Sequence, residues 1–312
     1  MTCDMHIHTT NSDGLLDNCE ILEECKKRNL KYFSITDHDC VDFYFSEQAN
    51  KLIEDYDFNV IVGCEFVARV GGQAIEILGY GINKHKAKEY LDKFGVKQNQ
   101  MNEIRKEFVP SVFKKFGIDF DFNVKPSEYI NNNMLYSMIE SIKQNPKALA
   151  LVNAENSELL ESSNSFIRKG LNNPKSVFYL SPYDIYPTHT KIIDLIHELG
   201  GIASLAHPYQ YGDNMNYVLT EVIKAGIDGI ECYHFTTINN DIKDYSKKDI
   251  LLNFCKQNNL IATGGSDFHY LHMRPKNQLN ELNIPLSVYN NIKNLIDNKH
   301  KKTLIKIHQS MK

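Results

Sequence analysis

The chain has 312 residues, with 35 basic against 39 acidic side chains and 42% apolar residues. That is enough chain for one large α/β domain or two smaller ones, and the near-neutral balance excludes a broad basic field that would track long nucleic acid. Seven cysteines (Cys3, Cys19, Cys25, Cys40, Cys64, Cys232 and Cys255), without a CxxC pair, exclude a zinc finger or disulfide scaffold.

Taken in order, the chain opens on a short apolar strand over 4–8. A helical segment follows with Ile21, Leu22 and Cys25 on one face, then a strand over 32–36 and a helix over roughly 42–55. Strands are expected over 60–67 and 74–79, and the Gly-Gly in "EFVARVGGQAIEILGYG" predicts a hairpin-like return between them. Residues 86–175 break this rhythm. They are helical and polar, hold neither His nor Cys, and place Ile104, Phe108, Val112 and Phe116 at a spacing of four. Pro110 is expected to kink or split that helix. From residue 191 the pattern resumes: "KIIDLIHELGG" then "IASLAHP", "VLTEVIKAG" then "IDGIECYH", "DILLNFCKQNN" then "LIATGGSDFH". A helix, a glycine or asparagine stop and a short strand is the signature of βα units and a parallel sheet. With strands at 202–206, 229–233 and 260–264 the count is about seven, a barrel-sized number. Residues 1–85 and 176–312 would form the barrel. Residues 86–175 would be an insertion folded over its mouth, or an independent helical domain.

Candidate ligands fall at the strand ends: His6 and His8, the triplet Asp37, His38 and Asp39, Glu65, Glu76, His207, Glu231 with His234, and Asp267 with His269. In a parallel barrel those ends share one face, where distant side chains converge. Alternation turns His6 and His8 to one side of a strand, as two ligands of one ion require.

The stretches "HIHTTNSDG", "ITDHD", "GCEF", "ILGYGI", "GGIASLAHP" and "GGSDFH" resemble the PHP family, named for its polymerase-associated and histidinol-phosphatase members. The resemblance runs from residue 6 to about 272 apart from the insertion. Within the family it is nearest the branch of nucleotide phosphatases and short-RNA 5′-exonucleases. It implies an α/β fold with a distorted seven-stranded (β/α)7 barrel, and two or three divalent metal ions of the Mn, Fe or Zn type. It also implies hydrolysis of a phosphate ester by a hydroxide held between the metals. The first metal would take His6, His8, Glu65 and Asp267. The second would take Asp13, His38 and His269, and a third would share Glu65 with Glu76 and His207. Three divalent ions against four carboxylates leave a pocket of formal charge +2, which attracts a phosphate dianion. The expected substrate is a small phosphorylated molecule, a nucleotide or a short oligonucleotide.

Two positions depart from the family pattern. Glu76 stands where relatives usually carry His. Either it ligates and favours Mn or another harder ion over Zn, or it does not ligate and the third metal is weak or missing. The branch's Arg-Pro-His stretch is replaced by "NNNMLYSMI" (131–139), and Arg105 and Arg168 are the arginines of the insertion. Arg274 is then the candidate phosphate clamp. Asp39 and His234 are candidate proton donors. One of Asp37 and Asp39 is expected to orient an imidazole and the other to cap a loop. Glu231 reads as strand-end packing and Cys64 as a small buried thiol.

Two other readings compete. An amidohydrolase-like barrel cutting C–N or lactone bonds also begins with HxH, but it expects one terminal Asp and often a bridging Lys, whereas "SDFH" pairs two ligands. A degenerate barrel would bind metal without catalysis. No basic-then-apolar leader and no membrane-length apolar run is present, so a cytoplasmic location is expected. Nothing in the sequence specifies an oligomeric state.

Overall fold

The computed structural model describes residues 1–95, 98–122, 133–234, 236–238, 242–244, 246–269 and 278–310. The chain divides into two compact units: Met1–Ala68, Ile75–Gly95 and Pro187–Lys312 form one, and Arg69–Ala74 with Val96–Tyr186 forms the other.

Strand β1 (Cys3–Asp4) leads to α1 (Asn18–Lys27). Asp17 and Glu20 close a reciprocal capping box at the start of α1, and Ile21, Leu22 and Cys25 form its buried face. Strand β2 (Tyr32–Phe33) and α2 (Glu47–Asp55) follow, then β3 (Asn59–Val60). Strands β4 (Gly63–Val70) and β5 (Gln73–Tyr80) flank the two-residue turn Gly71–Gly72, the return expected from the Gly-Gly pair. Helix α3 (Lys84–Phe94) starts on an Asn83 cap.

In the second unit α4 (Gln98–Lys115) runs unbroken with Pro110 inside it, so the helix is not split there. Its buried residues include Val109, Val112 and Phe113, while Phe116 is exposed. Helices α5 (Asn133–Gln144), α6 (Pro146–Asn156) and the single turn α7 (Ser163–Ser165) follow, and α7 continues as a π-helical stretch, Phe166–Leu171. Phe113, Phe120, Phe166 and Phe178 pack with Met134, Met138 and Ile142 in a core of its own.

Back in the first unit come α8 (His189–Glu198), β6 (Ile202–Leu205), α9 (Met215–Lys224) and β7 (Gly229–Tyr233). They are followed by the hairpin β8 (Thr236–Ile238) and β9 (Ile242–Asp244), then α10 (Lys248–Gln257), β10 (Ile261–Gly264) and α11 (Ser287–Ser310). Helix α8 buries Ile192, Ile193 and Ile196 and stops at Gly200, whose φ of +85° suits glycine. Among the described residues no helix is long and apolar enough to cross a membrane.

The expected closed seven-stranded barrel is not what the chain forms. Strands β1, β2 and β3 make a parallel three-stranded sheet, and β10-β7-β6-β5-β4 make a mixed five-stranded sheet with β5 antiparallel to β6. Single bridges, Ile7 to Phe268 and His38 to Glu65, link the strand exits of the two sheets. The physical reason lies in the motifs. Past Asp4 and Phe33 some backbone pairs continue, Ser34 to Asp4 and Thr36 to Ile7, but side chains take other N–H groups that a regular ladder would pair. Ile7 donates to Thr36 Oγ1 (3.2 Å), Thr9 to Asp37 Oδ1 (2.7 Å), Ser266 to Asp4 Oδ1 (2.8 Å), and both Ile35 and Gly63 to the Tyr44 hydroxyl (3.1 and 2.9 Å). Backbone groups satisfied in this way need no neighbouring strand. Beneath the exits lies an apolar core of Cys3, Met5, Leu78, Tyr80, Ile202 and Ile292, at roughly 1.5–3 kcal/mol per large buried side chain.

Candidate metal centre

His6 and His8 leave β1 on an extended stretch whose close fit demands glycine elsewhere. A Cβ on Gly265 would stand 2.1 Å from His6 Cβ, and one on Gly14 would stand 2.6 Å from the His8 carbonyl. Asp13 sits in the turn after His8. That turn hangs on buried Asp37, which accepts the Thr9 N–H, the Thr9 hydroxyl and the Ser12 hydroxyl at 2.7, 2.7 and 2.6 Å. His38 follows β2, Glu65 and Glu76 lie within β4 and β5, His207 follows β6, and Asp267 and His269 follow β10. His207 (φ 25°) and Asp267 (φ 53°) both have left-handed backbone, which turns their chains sharply at the strand exits.

Glu65 is fully buried at the centre. Its Oε2 lies 3.1 Å from His6 Nε2, 3.3 Å from His8 Nε2 and 3.1 Å from His38 Nδ1, while its Oε1 lies 3.2 Å from His207 Nε2. Asp267 Oδ1 stands 3.4 Å from His6 Nε2 and 3.2 Å from His8 Nε2. Asp13 Oδ1 stands 3.2 Å from His269 Nε2 and 3.7 Å from His38 Nε2. Glu76 Oε2, on the more open side, is 3.2 Å from His207 Nε2. Among the described residues three compact groups could each hold an ion: His8, Asp13, His38 and His269; His6, His8 and Asp267; and His6, Glu65 and His207.

These separations suit metal ligation. Bonds of about 2.1 Å at tetrahedral or octahedral angles put neighbouring ligand atoms about 3.0–3.4 Å apart. Hydrogen bonding leaves the inward atoms unspent: His6 Nε2, His8 Nε2, Asp13 Oδ1, His38 Nδ1 and Glu65 Oε2 are buried without a hydrogen-bond partner. Buried polar atoms in that condition call for another partner, and imidazole with carboxylate is the donor set of a first-row divalent ion.

The PHP domain model matches residues 4–231, most of the chain. The chain belongs to the PHP family. It is 24% identical over 270 residues to a 5′-3′ exoribonuclease of Haemophilus influenzae, covering 86% of this chain and 89% of that one. It is also 24% identical over 269 residues to a phosphoribosyl 1,2-cyclic phosphate 1,2-diphosphodiesterase of Eggerthella lenta, covering 85% and 93%. In fold it is similar to a Bifidobacterium adolescentis protein assigned to the metal-dependent phosphoesterases (TM-score 0.63, 19% identity, 93% and 94% covered). It is likewise similar to an amidohydrolase from Chromobacterium violaceum (TM-score 0.64, 19% identity, 96% and 97% covered).

The electrostatics of this PHP site follow from packing charges out of water. Burial alone would raise the Glu65 carboxyl, but His6 and His38 overcome it and hold it well below the usual carboxylate range. Asp267 is held well below it in the same way by His6 and His269, and Asp13 is lowered by His269 and His38. Against their own burial, His6 is pushed well up by Glu65 and Glu231, and His269 up to about 9 by Asp13 and Asp267.

The other residues singled out in the sequence take the following places. Asp37 holds the 9–13 turn and touches no imidazole directly; its link to His8 runs through Ser12, 3.5 Å from His8 Nδ1. Asp39 accepts the Val67 N–H at 3.3 Å. His234 is buried, its ring 5.8 Å from that of His207. Cys64 is buried against the Asp37 carbonyl. Arg274 and residues 131–132 lie outside the described residues. Glu231, read from the sequence as packing, is buried against the site with Oε1 3.0 Å from His6 Nδ1. The available signal was an acidic residue between the buried Ile230 and Cys232.

Proposed function

We propose that this PHP chain is a divalent-metal-dependent hydrolase of phosphate esters, acting on a phosphomonoester, a nucleotide or a short oligonucleotide. The observation that carries this reading is Glu65, a buried carboxylate with histidine nitrogens 3.1–3.3 Å from both its oxygens and its Oε2 spent in no hydrogen bond. His6, His8, Glu65 and Asp267 would hold one ion, Asp13, His38 and His269 a second, and Glu65, Glu76 and His207 a third. Bound there, Mn, Fe or Zn would supply an acidified water and neutralise charge on the phosphoryl oxygens.

The remaining work falls to the chain itself. His6, His8 and Glu65 are fully buried and exclude bulk water, whereas His38 and Glu76 are part-exposed and mark the side from which a phosphate enters. The carboxylates stay ionised because the histidines depress them. No side-chain nucleophile is required, and burial pushes the neighbouring Cys64 thiol far from thiolate formation. Asp39, which accepts a β4 backbone N–H, and His234, which burial pushes below its ordinary value toward the neutral imidazole, are the proton-donor candidates of this reading. The names of the two relatives, an exoribonuclease and a cyclic phosphate diphosphodiesterase, both describe phosphodiester cleavage and support a phosphate-ester substrate.

The test is a panel run on chelator-stripped protein reloaded with Mn(II), Fe(II) or Zn(II). It holds p-nitrophenyl phosphate, a mononucleotide, a short 5′-phosphorylated oligoribonucleotide, a cyclic ribose phosphate and, as controls, an amide and a lactone. Metal-dependent turnover of at least one phosphate ester is expected. Turnover confined to the amide or lactone, or none with any ion, overturns the reading.

A further inference from the structure

Glu231 lies in β7 opposite Thr263 of β10, with no solvent exposure, and spends both carboxylate oxygens on the metal centre. Oε1 stands 3.0 Å from His6 Nδ1, and Oε2 accepts the His207 backbone N–H at 2.8 Å. His207 is the residue whose φ of 25° puts a side chain where glycine is usual. An ionised carboxylate accepts hydrogen bonds and donates none. His6 Nδ1 therefore carries a proton, and Nε2, the nitrogen that faces Glu65 Oε2 and Asp267 Oδ1, is the one left to give up its own when an ion binds.

We infer that Glu231 is a positioning residue: it fixes the tautomer of His6 and pins the left-handed backbone of His207, so that one side chain sets ligands of two neighbouring ions. The inference rests on the metal-site reading above. It differs from a packing role in what the amide isostere does. In Glu231→Gln the carbonyl oxygen goes to the His207 N–H, which cannot be reversed. The NH2 group then faces His6 Nδ1 and makes it an acceptor. The ring proton moves to Nε2, onto the atom that would ligate. Shape and volume are unchanged, so a residue that merely filled space would tolerate the change.

The experiment titrates Mn(II) and Zn(II) by calorimetry into metal-free wild type, E231Q and E231D, with circular dichroism to verify folding. It also records 15N histidine spectra of zinc-loaded wild type. Wild type is expected to show His6 protonated at Nδ1 and bound through Nε2. E231Q is expected to lose an ion or bind it about 10–100-fold more weakly, while E231D, which keeps two accepting oxygens, recovers part of that loss. A folded E231Q with the wild-type ion count and affinities overturns the inference, as does a wild-type His6 bound through Nδ1. Should E231Q not fold, the wild-type spectrum decides. A wild type that takes up neither ion overturns the metal reading instead, a result distinct from either outcome.

Discussion

Asp37 accepts both the N–H and the hydroxyl of Thr9, each at 2.7 Å, and so suspends the turn that carries Asp13. Asp37→Ala strands the buried amide and hydroxyl of Thr9, and we expect a loss of about 3–5 kcal/mol in urea unfolding. Asp37→Asn keeps an accepting oxygen for the Thr9 amide and the Ser12 hydroxyl, and the Thr9 hydroxyl can turn to accept from its NH2. A loss of about 1–2 kcal/mol is expected there. A wild-type urea midpoint for the alanine variant would contradict the anchoring role.

Glu65 faces histidines on both its oxygens, so its loss should disturb more than one ligand group at once. Glu65→Gln should lower turnover of the best phosphate ester by about 10³-fold or more, equal to about 4 kcal/mol of barrier. Elemental analysis of the same sample should show fewer ions per chain. Asp267→Asn should behave alike, and full activity in either variant would refute the assignment.

His234 should separate from the ligands in a kinetic assay. His234→Asn is expected to lower kcat by about 10²-fold, within the usual range for a lost proton donor, with the ion count unchanged. An unchanged kcat would return the proton-donor role to Asp39 or to solvent.

The pH dependence has a definite sign. His269 is raised from its ordinary 6.5 to about 9, so in metal-free protein its contribution to stability is full below 6.5 and is lost as pH rises through 9. Asp13, Glu65 and Asp267 are depressed, so their contribution is present above the ordinary carboxylate range and is lost as pH falls through their lowered values. An incoming ion must displace the histidine protons, so metal affinity should climb between pH 6.5 and 9 with measurable proton release. Melting curves with and without Mn(II) should show a larger metal-induced rise in Tm at pH 8.5 than at pH 6. The reverse order would contradict the charge arrangement.

Glu76 replaces an expected nitrogen ligand by oxygen, 3.2 Å from His207 Nε2. Glu76→His should shift competitive binding toward Zn(II) over Mn(II), and Glu76→Ala should remove the most weakly held ion. Identical ion counts and preferences across the three proteins would place Glu76 outside the site.

Most of the nine candidate ligands stand out in the sequence because they end or interrupt an apolar run, where an unpartnered His, Asp or Glu is costly, whereas Asp13, in the polar "TTNSDG", is legible only through the resemblance to the PHP motifs. The structure brings all nine into one chain of contacts no longer than 3.7 Å. Glu231 is not legible in this way. Nothing in "IECYH" says that both its oxygens find N–H groups on two distant loops. The same limit explains the barrel. Hydrophobic alternation marks where strands start, but Thr36, Asp37, Asp4 and Tyr44 determine where their ladders stop.

The two single bridges between the sheets, Ile7 with Phe268 and His38 with Glu65, have ligand candidates in them or next to them. An ion held by His6, His8, Glu65 and Asp267 would therefore be a rivet across a seam that short runs of backbone hydrogen bonds already cross, Met5 to Gly264 and His8 to Phe268 on one side and Asp39 to Glu65 on the other. Loading should quiet the whole join, and the amides of His8 and Asp39, which donate across it to Phe268 and Glu65, are where hydrogen exchange should slow first.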